Sequence, residues 1–222
     1  MSDKHVLVSN NPARALAEQF VELASGASQF NVAVSGGSTP RELFRILATD
    51  LFDEVPWDRI RLYQVDERCV PPDDERLNWR MIRAELLDRI PGLWAARMEV
   101  ERPDADTAYE AIMRRELPPS ELGPPHLDLV LLGMGPDGHT ASLFPNSPAL
   151  EEEERLVVFN EAPGIATRRL TMTFPLLEAA HRRWFLVRGA DKAEAFSEVQ
   201  KGKLPAGRLR DAQWFVDPAV TG

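Results

Sequence analysis

Apolar and polar residues alternate along this chain in two rhythms. Short aliphatic or aromatic runs at 6–8, 30–34, 60–65, 127–132, 156–159, 170–174, 184–187 and 214–216 read as buried strands. Between them, apolar positions recur at helical spacing. Residues 12–24 put Ala13, Leu16, Ala17, Phe20, Val21 and Ala24 on one face, and a helix opened by Pro40 carries Leu43, Phe44 and Leu47. Residues 77–90 offer Met81, Ile82, Leu86 and Ile90 to a core, and further helices are expected at 104–116 and 193–199. Strands alternating with helices imply an α/β fold, a doubly wound and mostly parallel sheet with helices on both faces. No Gly/Ser linker or low-complexity tract divides the 222 residues, so one domain is expected over 1–222.

Composition narrows the class of partner. With 44% hydrophobic and 27% charged residues the chain has the makeup of a globular protein that buries a full core. A net charge of −9 argues against sequence-independent nucleic-acid binding, and any anionic ligand must be met by local positive charge. Neither a long apolar run nor an apolar segment behind a basic N-terminus is present, so no membrane span and no secretory signal are expected. One cysteine, Cys69, excludes an internal disulfide and suits a reducing compartment, with the cytoplasm expected. The histidines His5, His126, His139 and His181 are scattered without metal-ligand spacing, which speaks against a histidine- or thiolate-rich metal site and leaves an oxygen-ligated magnesium open on composition alone.

The densest chemistry follows the run 127–132, in Gly133-Met134-Gly135-Pro136-Asp137-Gly138-His139-Thr140-Ala141-Ser142-Leu143-Phe144-Pro145. Ligands of open α/β sheets bind at the carboxyl ends of the strands, which is where Asp137 and His139 fall. Gly133, Gly135 and Gly138 formally match G-x-G-x-x-G, with Glu161 at about the spacing of a ribose-binding acid. A dinucleotide fits poorly: Asp137 occupies the turn that a pyrophosphate would need, and Pro145 and Pro148 cut short the helix that would receive it. Leu143 and Phe144 are expected to pack that short helix onto the sheet. No G-x-S-x-G occurs, and Ser142 lies too close to His139 in sequence for a serine hydrolase.

A second junction, Ser35-Gly36-Gly37-Ser38-Thr39-Pro40, joins a strand to a helix start. Free backbone N–H groups and the positive helix end would converge there on a phosphate, with Ser38 and Thr39 adding hydroxyls. The same residues also fit a capping box, Thr39 with Glu42, that needs no ligand. The lysine of a P-loop is missing. Asp66, Glu67 and Arg68 end the strand at 60–65; such a cluster is usually a solvated loop, but Arg68 suits bidentate pairing with a phosphate while the acids hold it. Arg169 and Lys192 follow later junctions, and only convergence would make them more than surface charges.

Taken together, Ser35 to Pro40, Asp66 to Pro71, Gly135 to Pro145, Arg169-Leu170-Thr171, Gly189 to Ala193 and Leu204-Pro205-Ala206 resemble, in order and spacing, the 6-phosphogluconolactonase family over nearly the whole chain. Gly207 departs from it, where a serine is expected. The resemblance implies a Rossmann-like fold shared with glucosamine-6-phosphate deaminase, hydrolysis of 6-phosphoglucono-1,5-lactone, and no metal or organic cofactor. It implies His139 as the base, because an imidazole titrates near neutrality, with Asp137 orienting either it or the water. Developing charge on the carbonyl oxygen needs donors, either N–H groups of the central turn or a nearby cation. The phosphate would lie on Gly36, Gly37, Ser38 and Thr39, with Asp66, Arg68, Arg169 and Lys192 as further binding residues. An amino-sugar phosphate deaminase or a silent sugar-phosphate sensor are the alternatives. The deaminases carry a glutamate five residues past the histidine, where this chain has Phe144, and a sensor would carry an output module such as a helix-turn-helix or a basic face.

Overall fold

A computed structural model of the protein describes residues 5–120, 123–162 and 164–222. In chain order its strands are β1 (His5–Val8), β2 (Phe30–Val34), β3 (Ile60–Gln64), β4 (Asp66–Arg68), β5 (Trp94–Ala96), β6 (Leu129–Leu132), β7 (Val157–Asn160), β8 (Arg169–Met172), β9 (Arg183–Val187) and β10 (Gln213–Val216). The helices are α1 (Pro12–Ser25), α2 (Thr39–Ala48), α3 (Asn78–Ile82, continued by a π turn over Arg83–Leu87), α4 (Ala105–Glu116), α5 (Phe174–Ala179), α6 (Ala193–Gln200), α7 (Pro205–Arg208) and α8 (Pro218–Thr221). Among the described residues, no helix is long and apolar enough to cross a membrane.

Seven strands form one parallel sheet in the order β1-β10-β9-β6-β2-β3-β5. Both faces of its central strands are covered, which is why they read as continuous apolar runs rather than as alternations. On one face Leu129 and Leu131 of β6 join Val32, Val34 and Leu62 beneath Leu16, Phe20, Leu43, Phe44 and Ile82 of α1, α2 and α3. On the other, Val130 and Leu132 join Ala33, Tyr63, Phe185 and Trp214 against Tyr109, Met113 and Phe196 of α4 and α6. Each such fully buried side chain stabilises the fold by about 1.5–3 kcal/mol relative to exposure.

Two expectations are corrected. The runs at 156–159 and 170–174 do not extend the parallel sheet; as β7 and β8 they pair antiparallel with each other, and β8 pairs antiparallel with β4 on its other side, in a separate three-stranded sheet, so Asp66, Glu67 and Arg68 form a strand and not a solvated loop. Nor does a short helix follow Gly138. Positive φ at Gly138 (76°), Ala141 (50°) and Asn146 (61°) breaks any helical run, and Thr140 and Leu143 close an isolated bridge instead.

The chain runs β2, β3, β5 toward one sheet edge and β6, β9, β10 toward the other, so the topological switch point lies between the paired strands β2 and β6. Such a switch opens a crevice at the carboxyl ends of its strands. The two glycine-rich turns leave β2 and β6 side by side at that crevice, tied by Ser35 N–H donating to Leu131 O at 3.0 Å.

Candidate active site

A cleft of about 330 Å³ occupies the switch point and is lined by residues following four adjacent strands: Ser35 to Pro40 after β2, Asp66, Arg68 and Asn78 after β3, Gly133 to Gly135 and His139 after β6, and Lys192 after β9. Gly36, Gly37, Ser38, Thr39, Asp66, Arg68, His139 and Lys192 are thus brought together. Asp137 stands directly behind His139. Arg169 is not among the lining residues; it lies across the β4–β8 ladder from Arg68.

The start of α2 carries no side-chain cap, and Ser38 rather than Thr39 is its cap residue. The capping box does not form. Glu42 pairs with Arg188 instead. The first N–H groups of a helix have no intrahelical partner, so an uncapped start facing a cleft offers donors and a positive dipole end to an anion. Gly37, at φ 103°, adopts a backbone that favours glycine. The buried Ser35 hydroxyl has no hydrogen-bond partner among the described residues, which makes it an additional polar group at this turn beyond the binding residues expected from the sequence.

Cationic groups face this turn. Arg68 donates from Nη1 to Arg76 O and to Asn78 Oδ1, both at 2.6 Å. Lys192 is largely buried, with 17% of its side chain exposed, and its ammonium donates to Asp191 at 2.8 Å. Arg169 is half-buried; burial, then the charge of Arg68, lowers its pKa. Like charges opposed across a ladder are destabilising, so the Arg68–Arg169 pair favours a counter-anion nearby.

The turn after β6 is built around one imidazole. A single oxygen of Asp137 accepts from His139 Nδ1 at 2.5 Å and from the His139 backbone N–H at 3.2 Å. A carboxylate only accepts, so Nδ1 carries the proton and Nε2 is left as the basic nitrogen. Burial pushes the Asp137 carboxyl up, but the hydrogen bond and charge of His139 outweigh it and hold the group below its ordinary range. Phe144, itself buried, lays its ring 4.5 Å from the imidazole, centroid to centroid. Its role therefore goes beyond packing the core. The turn is closed from behind by the Leu204-Pro205-Ala206 segment: Ala206 N–H donates to Gly138 O at 3.0 Å, and a Cβ on Gly138 would lie 2.5 Å from Leu204. Gly207, the departure noted above, has its own reason. A Cβ there would lie 2.5 Å from Val199 O, so α7 packs on the end of α6 at a distance that a serine side chain does not allow.

Beneath the cleft lies a polar layer that sequence reasoning missed in part. Glu67 is fully buried, and its carboxylate accepts from Arg68 N, Asn78 N, Trp79 N and Gln64 Nε2 at 2.7–2.9 Å. Burial pushes its pKa up against those hydrogen bonds. Asp66 accepts from Ser142 Oγ at 2.6 Å and from Asn78 Nδ2 at 3.3 Å. The acids therefore hold Asn78 and Ser142, and the guanidinium of Arg68 only through Asn78. Nothing in the local pattern around Asn78 marks it. Among the described residues, no group of three or more His, Cys, Asp and Glu side chains is placed to hold a metal ion.

A family model described as glucosamine-6-phosphate isomerases/6-phosphogluconolactonase matches residues 4–216. A 6-phosphogluconolactonase of Treponema pallidum is 36% identical over 172 residues, covering 76% of this chain and 71% of that protein. The crystal structure of 6-phosphogluconolactonase from Thermotoga maritima superposes with a TM-score of 0.81 at 30% identity, covering 96% of this chain and 98% of that one. A monomeric glucosamine-6-phosphate deaminase superposes with a TM-score of 0.77 at 18% identity over 97% of this chain and 98% of its own, which shows a shared fold.

Proposed function

Because the chain belongs to the family of glucosamine-6-phosphate isomerases and 6-phosphogluconolactonases, we propose that its 222 residues act as one catalytic domain that hydrolyses 6-phospho-D-glucono-1,5-lactone to 6-phosphogluconate in the oxidative branch of the pentose phosphate pathway. The observation that carries the lactonase reading is that His139, held by Asp137 and with no partner on Nε2 among the described residues, lines the same 330 Å³ cleft as an uncapped helix start, Arg68 and Lys192. A base and an anion site in one small cleft suit a phosphorylated substrate whose reacting carbon lies at the far end of the sugar.

In this reading the phosphate sits on the turn of Gly36, Gly37, Ser38 and Thr39, paired by Arg68 and Lys192. Arg169 adds charge from behind, and Asp66 keeps the wall in place. Water attacks the lactone carbonyl while His139 Nε2 takes its proton and Asp137 holds the imidazolium that forms. The tetrahedral intermediate then breaks the bond between C1 and the ring oxygen, which receives the proton back from His139. A lactone is an activated ester, so no covalent nucleophile is needed. Phe144 supports hydrolysis over deamination, since a phenyl ring cannot relay the protons that opening an amino-sugar ring requires.

The direct test is pH-stat titration of freshly prepared 6-phosphogluconolactone, with the spontaneous rate subtracted. Acid release should rise in proportion to enzyme and survive dialysis against a strong chelator. Glucosamine 6-phosphate should release no ammonia; sustained release dependent on His139 would overturn the lactonase reading. Replacing Lys192 with Ala should weaken kcat/KM on the phosphorylated lactone by about tenfold or more, the worth of a charge-assisted hydrogen bond, while glucono-1,5-lactone is barely affected. Equal losses on both substrates would remove Lys192 from the phosphate site. The single Cys69 and the expected cytoplasmic setting are consistent with a sugar-phosphate pathway enzyme.

A further inference from the structure

Arg68 can serve as a phosphate clamp only if its guanidinium is held in place, because a free arginine side chain samples many rotamers. The structure supplies a hold that uses one nitrogen. Nη1 donates to Arg76 O and to Asn78 Oδ1, while Nε and Nη2 make no hydrogen bond to the described residues. Arg76 contributes only its backbone carbonyl. Asn78, a residue only 4% exposed, contributes its side chain.

The orientation of the Asn78 carboxamide is set by its surroundings. Its Nδ2 donates to Asp66 O at 3.0 Å and to Asp66 Oδ1 at 3.3 Å. Reversing the amide would point its oxygen at a carboxylate and its N–H groups at a guanidinium, two repulsive contacts in place of attractive ones. The backbone is pinned as well: Asn78 N–H donates to Glu67 Oε1 at 2.7 Å, and the same oxygen accepts from Arg68 N–H at 2.8 Å. Asn78 also abuts the phosphate turn. A Cβ on Gly36 would lie 2.3 Å from Asn78 Cγ and Oδ1, so the amide occupies the space that any larger residue at Gly36 would take. From the far side Ser142, in the segment following His139, donates to Asp66 at 2.6 Å. Ser142, Asp66 and Asn78, all buried, therefore form one hydrogen-bonded chain that runs from the catalytic turn to Arg68 at the anion site.

We propose that Asn78 is a positioning residue that fixes the Arg68 guanidinium against the Gly36 turn and so sets affinity for the phosphoryl end of the substrate. The proposal rests on the reading of Arg68 as a phosphate ligand. Asn78 touches Arg68 and acts through it, so its removal should lower kcat/KM on 6-phosphogluconolactone by about tenfold, chiefly through KM, and leave glucono-1,5-lactone within about twofold.

The test is a double-mutant cycle on both substrates with Arg68→Ala, Asn78→Ala and the double variant, accompanied by thermal melts. If Asn78 works through Arg68, its replacement adds no further loss once Arg68 is gone. Should Asn78→Ala fail to fold, Asn78→Ser carries the cycle, since its hydroxyl is polar but too short to reach Nη1. Additive losses, or equal losses on the two lactones while Arg68→Ala remains selective for the phosphorylated one, would overturn the positioning role and leave the phosphate assignment of Arg68 standing. An Arg68→Ala variant that shows no selectivity would remove that assignment and the proposal with it.

Discussion

His139→Ala should lower kcat on 6-phosphogluconolactone by about 10²–10⁴, the usual worth of general-base catalysis, with a much smaller change in KM. The split follows from geometry. His139 lines the cleft with its Nδ1 engaged by Asp137, whereas the phosphate contacts assigned above all come from other strands, so ground-state binding should survive its loss. A purely structural histidine would behave differently: turnover would persist in whatever fraction stays folded, and the melting temperature would fall. The melts carry their own check. Asp137 owes its lowered pKa to His139, and a carboxyl with a depressed folded value contributes stability above its ordinary range that is lost as pH falls through the lowered value. Any difference in melting temperature between wild type and variant should therefore be present at neutral pH and shrink in strong acid. Near-normal turnover in a folded His139→Ala would end the assignment.

Much of this site was legible because its chemistry sits in punctuated turns. After β6, glycines, prolines, an acid and a histidine are crowded into a few residues behind an aliphatic run, and no core element needs that mixture. The turn after β2 was harder, because Thr39 and Glu42 fit a cap as well as a ligand site; the choice depended on where Glu42 points, and it points to Arg188, far along the chain. Long-range pairing of this kind has no local signal. The same limit explains the second sheet. β4 is three charged residues long, and its hydrogen-bond partners on β8 lie about a hundred positions away, so neither length nor alternation distinguishes it from a loop. Glu67 reads as a solvated acid in sequence and proves fully buried, because four N–H donors converge on it from segments that only the fold brings together. Asn78 escaped notice for the same reason. Its spacing from Arg68 means nothing until α3 is folded back against β4.

The helix expected after Gly138 failed for a different and local cause. Apolar residues at 143 and 144 suggested a helical face, but Ala141 takes a left-handed backbone and Pro145 follows at once, so Leu143 and Phe144 reach the core from a turn. The failure is informative about function. A helix would carry Phe144 along a regular face, whereas the turn folds its ring back to within 4.5 Å of the imidazole. With Asp137 on Nδ1 and Phe144 against the ring, His139 is held both at its edge and at its face, which is what a base needs if its free nitrogen is to meet a water in one place.

Gly135→Ala should reveal how tightly that holding is set, with an expected loss of about 10²-fold in kcat and little change in KM. Gly135 shows no positive φ, so a methyl group there meets no backbone strain of its own. Its cost is steric. A Cβ at Gly135 would lie 2.2 Å from both Cε1 and Nδ1 of His139 and 2.7 Å from Asp137 Oδ1, so both partners must move. The ring cannot retreat freely, because Phe144 lies on it, and the turn cannot open freely, because Gly135 N–H donates to His139 O at 2.9 Å and Gly138 N–H to Gly135 O at 3.0 Å. Displacement of the imidazole by about an ångström is enough for a loss of that size, since proton transfer depends steeply on alignment. The phosphate end of the cleft is untouched, so inhibition by inorganic phosphate should remain at its wild-type level. Kinetics at saturating substrate, set beside a crystal structure of the variant, make the comparison. Full activity with the imidazole unmoved would show that the turn yields more easily than its hydrogen bonds imply, and that His139 is not held by its glycine neighbour.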